Sequence, residues 1–304
     1  MKPSDRLPFL PTTSFGDDIA MESDLRDRAI GEILASTNTM TGEQIEQVLE
    51  HQKRNRGLRF GEAAISLGLA TRDEVIWALS QQFHYPYADT KLAAPLHKEL
   101  VMANGPFSAE VECFRVLRSQ LLNGVLAPDA PRRALALVSP DIGDGKTFVL
   151  SNLAVAFSQL RGRTVIVDAD MRSSRLHEVF NLDNHTGLSD ILNGRSQANV
   201  IRPVADLPNL YLLPVGTTPP NPAELIHHPS FGLLIHELIS RFDTVLVDTP
   251  AAVHGSDASV IAACCGAALV VTRKDQTRSA RLTDLLRQLG QTRAQMAGVL
   301  MNAY

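Results

Sequence analysis

The sequence predicts an α/β fold, a mostly parallel sheet flanked by helices on both faces, preceded by a small all-α domain of two repeats. Three observations carry this. Beyond residue 107, near-continuous apolar runs alternate with helical stretches, the pattern of strands buried on both faces. A glycine-rich turn joins the first of these runs to a helix with Leu150, Leu153, Phe157 and Leu160 at core-facing spacing. Upstream, the chain repeats itself with an offset of thirty residues.

The bulk properties are those of an ordinary globular chain. Its 304 residues suggest two domains, and 44% apolar against 20% charged residues excludes a disordered chain. A net charge of −4 argues against a dominant nucleic-acid surface. No run reaches the ~18–20 apolar residues of a membrane helix. The stretch 260–271, broken by Gly266, reads as a helix end followed by a buried strand. The N-terminus has no apolar signal-peptide core, and three cysteines give neither a disulfide framework nor metal spacing. These features point to a cytoplasmic protein without a transmembrane segment of its own.

Residues 1–25 are expected to be disordered. In the repeat, residues 31–52 realign on 61–82, with Gly31/Gly61, Glu32/Glu62, Ser36/Ser66, Thr41/Thr71, Leu49/Leu79 and Gln52/Gln82 identical. Each unit reads as a short helix, a turn, an N-cap threonine (Thr41, Thr71) and a longer amphipathic helix. Glu74 and Gln44 stand where a capping box requires them. One unit could hardly bury its apolar face alone, so two form a helical domain over 26–88. An irregular stretch, 89–106, reads as a linker to the α/β domain, 107–304. Its strands are expected at 134–139, 164–168, 210–214, 244–248, 268–272 and 298–302.

The turn after the first strand, Ser139 to Phe148, holds Gly143, Asp144, Gly145, Lys146 and Thr147. Glycines let backbone N–H groups approach phosphate oxygens, and the start of the following helix adds positive potential. Lys146 would neutralise phosphate charge and the Thr147 hydroxyl would bind Mg²⁺. The loop departs from the usual phosphate-loop pattern in having Pro140 as its first residue instead of glycine. Two further strands end in carboxylates: TVIVDADMR in Asp168 and Asp170, FDTVLVDTP in Asp248. Acids at the C-terminal edge of a parallel sheet sit beside the phosphate crevice and can hold Mg²⁺ directly or through water. Each alone is as well an N-cap. The three segments together predict a P-loop nucleotide site for ATP or GTP.

These three segments resemble the nucleotide motifs of bacterial tyrosine kinases, the autokinases of capsule and exopolysaccharide assembly. Glu112, Arg115 and Arg118 resemble the family's Glu-x-x-Arg-x-x-Arg motif, SRLHEVFNLDNHTGLSDIL and PPNPAELI resemble two further family segments, and the whole covers about 108–304. The repeat resembles the N-terminal domain of type II secretion ATPases, a combination similar to the EpsG-type kinases associated with chain-length determinant proteins. Partition and septum-site ATPases carry a signature lysine where this chain has Asp141.

The resemblance implies ATP and Mg²⁺, and transfer of the γ-phosphoryl group to a tyrosine. It places Lys146 on the phosphates, Thr147 on Mg²⁺ and Asp248 in Mg²⁺ binding from the second sphere. Asp168 and Asp170 flank the acceptor, with Asp168 orienting or deprotonating it, and Asn302 meets the adenine. Arg172 either supports the transferred charge or is a surface arginine. Glu112, Arg115 and Arg118, on one side of a helix with Cys113, Phe114, Leu117 and Leu121 on another, would join subunits into a homo-oligomeric ring. A membrane-bound polysaccharide co-polymerase, the chain-length determinant protein, would act in trans and hold the kinase at the inner membrane. The family's tyrosine-rich tail is not matched; Tyr304 is the tail candidate, while Tyr85 and Tyr87 suit packing and Tyr211 lies in a strand. A non-catalytic ATP-dependent assembly switch, or a cyclic di-GMP-responsive adaptor built on Arg59-Phe60-Gly61, remain alternatives.

Overall fold

A computed structural model describes residues 30–36, 39–55, 58–71, 74–75, 77–78, 97–104, 109–195, 200–205, 207 and 209–303. Expectations for the N-terminal 25 residues and for Tyr85, Tyr87 and Tyr304 lie outside these. The chain divides into two compact units, one of Thr12–Lys91 and one that includes Leu92–Tyr304.

In the first unit, helices α1 (Ile30–Ser36), α2 (Gly42–Arg54) and α3 (Phe60–Ser66) surround a core in which buried positions recur thirty apart. Ile33 and Ala63, Leu34 and Ala64, Met40 and Ala70, Val48 and Ala78 are all buried, and Trp77 packs against them. Both threonine caps close as reciprocal boxes. The Thr41 amide donates to Gln44 Oε1 at 2.8 Å and Thr71 to Glu74 Oε2 at 2.8 Å, and each hydroxyl accepts in return at 3.3 Å. Gly61 is glycine for space, since a Cβ there would lie 2.3 Å from Val75 Cγ1.

The second unit is built on a seven-stranded sheet: β1 (Ala134–Val138), β2 (Thr164–Asp168), β3 (Arg202–Pro203), β4 (Leu210–Leu213), β5 (Thr244–Asp248), β6 (Gly266–Arg273) and β7 (Gln295–Asn302). Their order is β3-β4-β2-β5-β1-β6-β7, parallel except for the β3–β4 pair. Six strands fall on the six apolar runs, with β6 and β7 longer than expected. The edge strand β3 was not foreseen; two residues ending in proline carry no strand signal.

Along β1 the side chains alternate between two cores, Ala134, Ala136 and Val138 on one face and Leu135 and Leu137 on the other. The second face is covered by α4 (Val101–Asn104), α5 (Ala109–Leu122), α6 (Lys146–Ser158) and α7 (Leu176–Val179). The first is covered by α8 (Leu188–Leu192), α9 (Pro222–His227), α10 (Pro229–Arg241), α11 (Asp257–Cys265) and α12 (Ser279–Gly290). Helix α11 runs directly into β6, as Gly266 at φ +83° allows. Among the described residues no helix is long and apolar enough to cross a membrane.

Part of the expected linker belongs to this core. Leu100 and Met102 are fully buried, and Asn152 of α6 clasps their segment. Its Oδ1 accepts from the Met102 amide at 3.0 Å, and its Nδ2 donates to the carbonyls of Glu99 at 2.7 Å and Phe148 at 2.9 Å. Residues 97–104 therefore form a strap on α6, because apolar side chains and backbone polar groups both find partners there.

Candidate functional site

The site forms at the C-terminal ends of β1, β2 and β5, where the chain moves to opposite sides of β1. The loop after β1 is shaped by Gly143 (φ +83°) and Gly145 (φ +96°), left-handed conformations that L side chains rarely adopt. A Cβ on Gly145 would lie 2.2 Å from Asn302 Nδ2. The loop delivers the free N–H groups of the first turn of α6 to the cavity. Lys146 opens that helix, and its ammonium donates to Ser139 Oγ across the loop at 3.1 Å. The Thr147 hydroxyl donates to Asp248 Oδ2 at 2.7 Å.

Adjacent strands place Asp168 and Asp248 directly opposite one another. Burial pushes the Asp248 carboxyl up to about 6, although Lys146 and the Thr147 hydroxyl pull it back. Burial, reinforced by the Asp248 charge, holds Asp168 well above the usual carboxylate range even though Ser174 donates to it. Asp170 faces the cavity, and its Oδ1 accepts from the amides of Arg172 at 3.1 Å and Ser173 at 3.0 Å.

The cavity measures about 540 Å³ and is lined by Gly143, Gly145, Lys146, Thr147, Phe148, Asp170 and Asn302 among others. Sequence reasoning missed part of its wall: Lys98, Glu99 and Val101 come from the strap, and Arg175 ion-pairs with Glu99 at 2.9 Å. No motif marks the strap, because it reaches the site only through its clasp on α6.

Four expectations change in detail. The Asp144 carboxylate turns into its own loop, accepting from the Asp141 amide at 2.9 Å and the Thr277 hydroxyl at 2.8 Å, so it shapes the cradle and does not face the cavity. Asn302 donates to the Asp144 carbonyl at 3.2 Å, bracing the loop as well as lining the cavity. Arg172 is tied to Asp257 of α11 at 2.8 Å, fitting neither a free surface arginine nor one aimed at phosphate. On α5, Glu112 and Arg115 pair at 3.0 Å, but Arg118 turns inward and donates to the Ala156 carbonyl, while Cys113 is exposed rather than packed with Phe114. Phe114 instead meets Phe148 edge to face, ring centroids 6.0 Å apart.

Among the described residues no group of three or more histidine, cysteine or acidic side chains could hold a metal by itself. The donor set suits Mg²⁺ nonetheless, because that ion takes one or two protein oxygens and completes its shell with water and substrate phosphates.

The α/β unit is similar to known proteins. The family model of the cellulose biosynthesis protein BcsQ matches residues 134–304. The chain is 36% identical over 206 residues to the tyrosine-protein kinase Wzc of Salmonella typhimurium, covering 67% of this chain and 28% of Wzc. It thus spans under a third of the length of that relative. Among solved structures, the chimerical protein CapA2B2 aligns at 30% identity over 74% of this chain and 96% of the other, with a TM-score of 0.63. The kinase domain of the Escherichia coli tyrosine kinase ETK aligns at 27% identity over 70% and 83%, with a TM-score of 0.65.

Proposed function

Because the chain belongs to the bacterial tyrosine-kinase family of exopolysaccharide and capsule synthesis, and over residues 134–304 to the BcsQ family, we propose that it transfers the γ-phosphoryl group of ATP to a tyrosine hydroxyl and so regulates polysaccharide polymerisation and export. One observation carries the reading: Lys146, Thr147, Asp248 and Asp168 converge on a single glycine-shaped cradle at the sheet edge.

Phosphoryl transfer needs positioning and charge neutralisation more than covalent chemistry. Backbone amides from Gly143 to Thr147 bind the phosphates, and Lys146 leaves its Ser139 contact to meet them. The Thr147 hydroxyl, with Asp248 bonded to it, would hold Mg²⁺. When bound, the ion would supply charge neutralisation to the transferring phosphate. Asp168, beside Asp248 at the ends of the adjacent strands, orients the acceptor hydroxyl or takes its proton. Asp170 borders the acceptor, and Asn302 lies where the base of the nucleotide begins.

Oligomerisation through Glu112 and Arg115, with Arg118 securing α5 to α6, completes the reading. So does activation at the inner membrane by a chain-length determinant protein acting in trans from a cytoplasmic location. Incubation with labelled ATP, alone and with the partner's cytosolic segment, tests it. Phosphotyrosine that is lost in Lys146→Met is expected. ATP binding without phosphotyrosine would leave a nucleotide-dependent assembly switch in its place.

A further inference from the structure

The loop after β2 is tied down twice. Its own turn is set by Asp170, whose Oδ1 accepts from the amides of Arg172 at 3.1 Å and Ser173 at 3.0 Å; Asp170, unlike Asp168, lines the cavity. From that turn the Arg172 guanidinium reaches α11, where Asp257 Oδ2 accepts from Nε at 3.1 Å and from Nη2 at 2.8 Å. The Asp257 side chain is 6% exposed and that of Arg172 30%. A carboxylate so buried holds its cationic partner firmly, because losing it leaves a charge without water.

The far end of this tether is fixed. Asp257 opens a helix whose Ala258, Ile261, Ala262 and Cys265 are buried in the core. Just before it, the amides of Ala252 and Val253 donate to the carbonyls of Ser139 at 2.8 Å and Pro140 at 3.1 Å, where the phosphate loop begins. Residues 251–257 therefore join two walls of the cavity. Backbone bonds fix them to the loop that carries Lys146, and one ion pair fixes them to the loop that carries Asp170.

We propose that Arg172 and Asp257 are positioning residues for phosphotransfer, which hold Asp170 at a set distance from the phosphate seat so that the acceptor meets the γ-phosphate in line. The inference rests on the phosphotransfer reading above. The seat is built from Gly143, Gly145 and the first turn of α6, a different segment, so nucleotide binding and acceptor placement are separable. Releasing Arg172 frees the Asp170 turn to drift while the seat keeps its shape.

Asp257→Asn is the variant to measure. It removes the anion and leaves a guanidinium that is already part-exposed, so no charge is stranded in the core. ATP affinity by calorimetry and the KM for ATP should stay within about twofold of the parent, while kcat for phosphotyrosine formation falls about ten- to a hundredfold, the cost of misplacing a reacting group by about 1 Å. Because the pair acts through Asp170, adding Asp257→Asn to Asp170→Asn should slow the reaction no further. A pair that only holds the fold together would lower the thermal midpoint without that dependence. Parental kcat in Asp257→Asn, a loss confined to KM, or losses that multiply in the double variant would overturn the positioning role and leave the kinase reading intact. No phosphotyrosine from the unsubstituted protein would overturn both.

Discussion

Asp248→Asn should stabilise the nucleotide-free protein at high pH while impairing its phosphotransfer. Asp248 is 2% exposed, and burial raises its carboxyl from 3.8 to about 6. A raised folded-state value means that the native state binds this proton more tightly than the unfolded chain. The associated stability is therefore complete below about pH 4 and is lost as pH rises through about 6. The difference of about two units amounts to about 3 kcal/mol of penalty once the group is ionised. That figure already includes the attraction of Lys146 and the Thr147 bond, both of which oppose the shift. Asparagine is close in shape to the protonated acid and keeps an acceptor for Thr147, so the two proteins should melt together near about pH 3. At pH 8 the variant should be more stable by about 3 kcal/mol, or about 6–12 °C in the midpoint of a unit this size. Thermal unfolding followed by circular dichroism at the two pH values measures the gap. A gap that stays constant, or one favouring the parent at pH 8, would refute the assignment of a strained acid. Phosphotransfer should fall about 10²–10³-fold in the same variant.

Asp168→Asn should reduce phosphotyrosine formation by about a hundredfold or more in the labelled-ATP assay. Gly145→Ala should weaken ATP binding at least about tenfold in calorimetry, since its φ is left-handed and its Cβ strikes Asn302. Adding Asn302→Ala should recover only the steric share. Asn152→Leu strands the Met102 amide and takes one donor from each of the Glu99 and Phe148 carbonyls, and should lower unfolding stability by about 1–3 kcal/mol in denaturant titration. Glu112→Ala with Arg115→Ala should give a monomer by light scattering. Arg118→Ala is the poorer test, because it also unseats α5 from the Ala156 carbonyl.

The parts of the fold that sequence exposes are those where one local pattern fixes the answer. The interior strands read directly because burial on both faces demands unbroken apolar runs, as in ALALV and TVIVD. Gly143 and Gly145 announce the cradle because only a left-handed turn brings amides onto phosphate. Asp168 and Asp248 could be placed together because strand ends in a parallel sheet share an edge. What stayed hidden depends on contacts between distant segments. Nothing around Leu100 or Met102 shows that Asn152, fifty residues away from Met102, will hold them. Asp144 looked like a ligand, but Thr277, 133 residues on, draws its carboxylate into the loop. Helical phase alone could not tell that Arg118 would find a carbonyl while Cys113 remained outside.

The clasp formed by Asn152 has a practical consequence for anyone who would isolate the catalytic half. A fragment begun where the β–α alternation starts, at residue 107, would strip Leu100 and Met102 from the sheet's second face and remove Glu99 from Arg175. It would leave bare a greasy trench along the helix that bears Lys146, an invitation to aggregate. Fragments should begin upstream of His97 to retain a soluble, correctly shaped nucleotide wall.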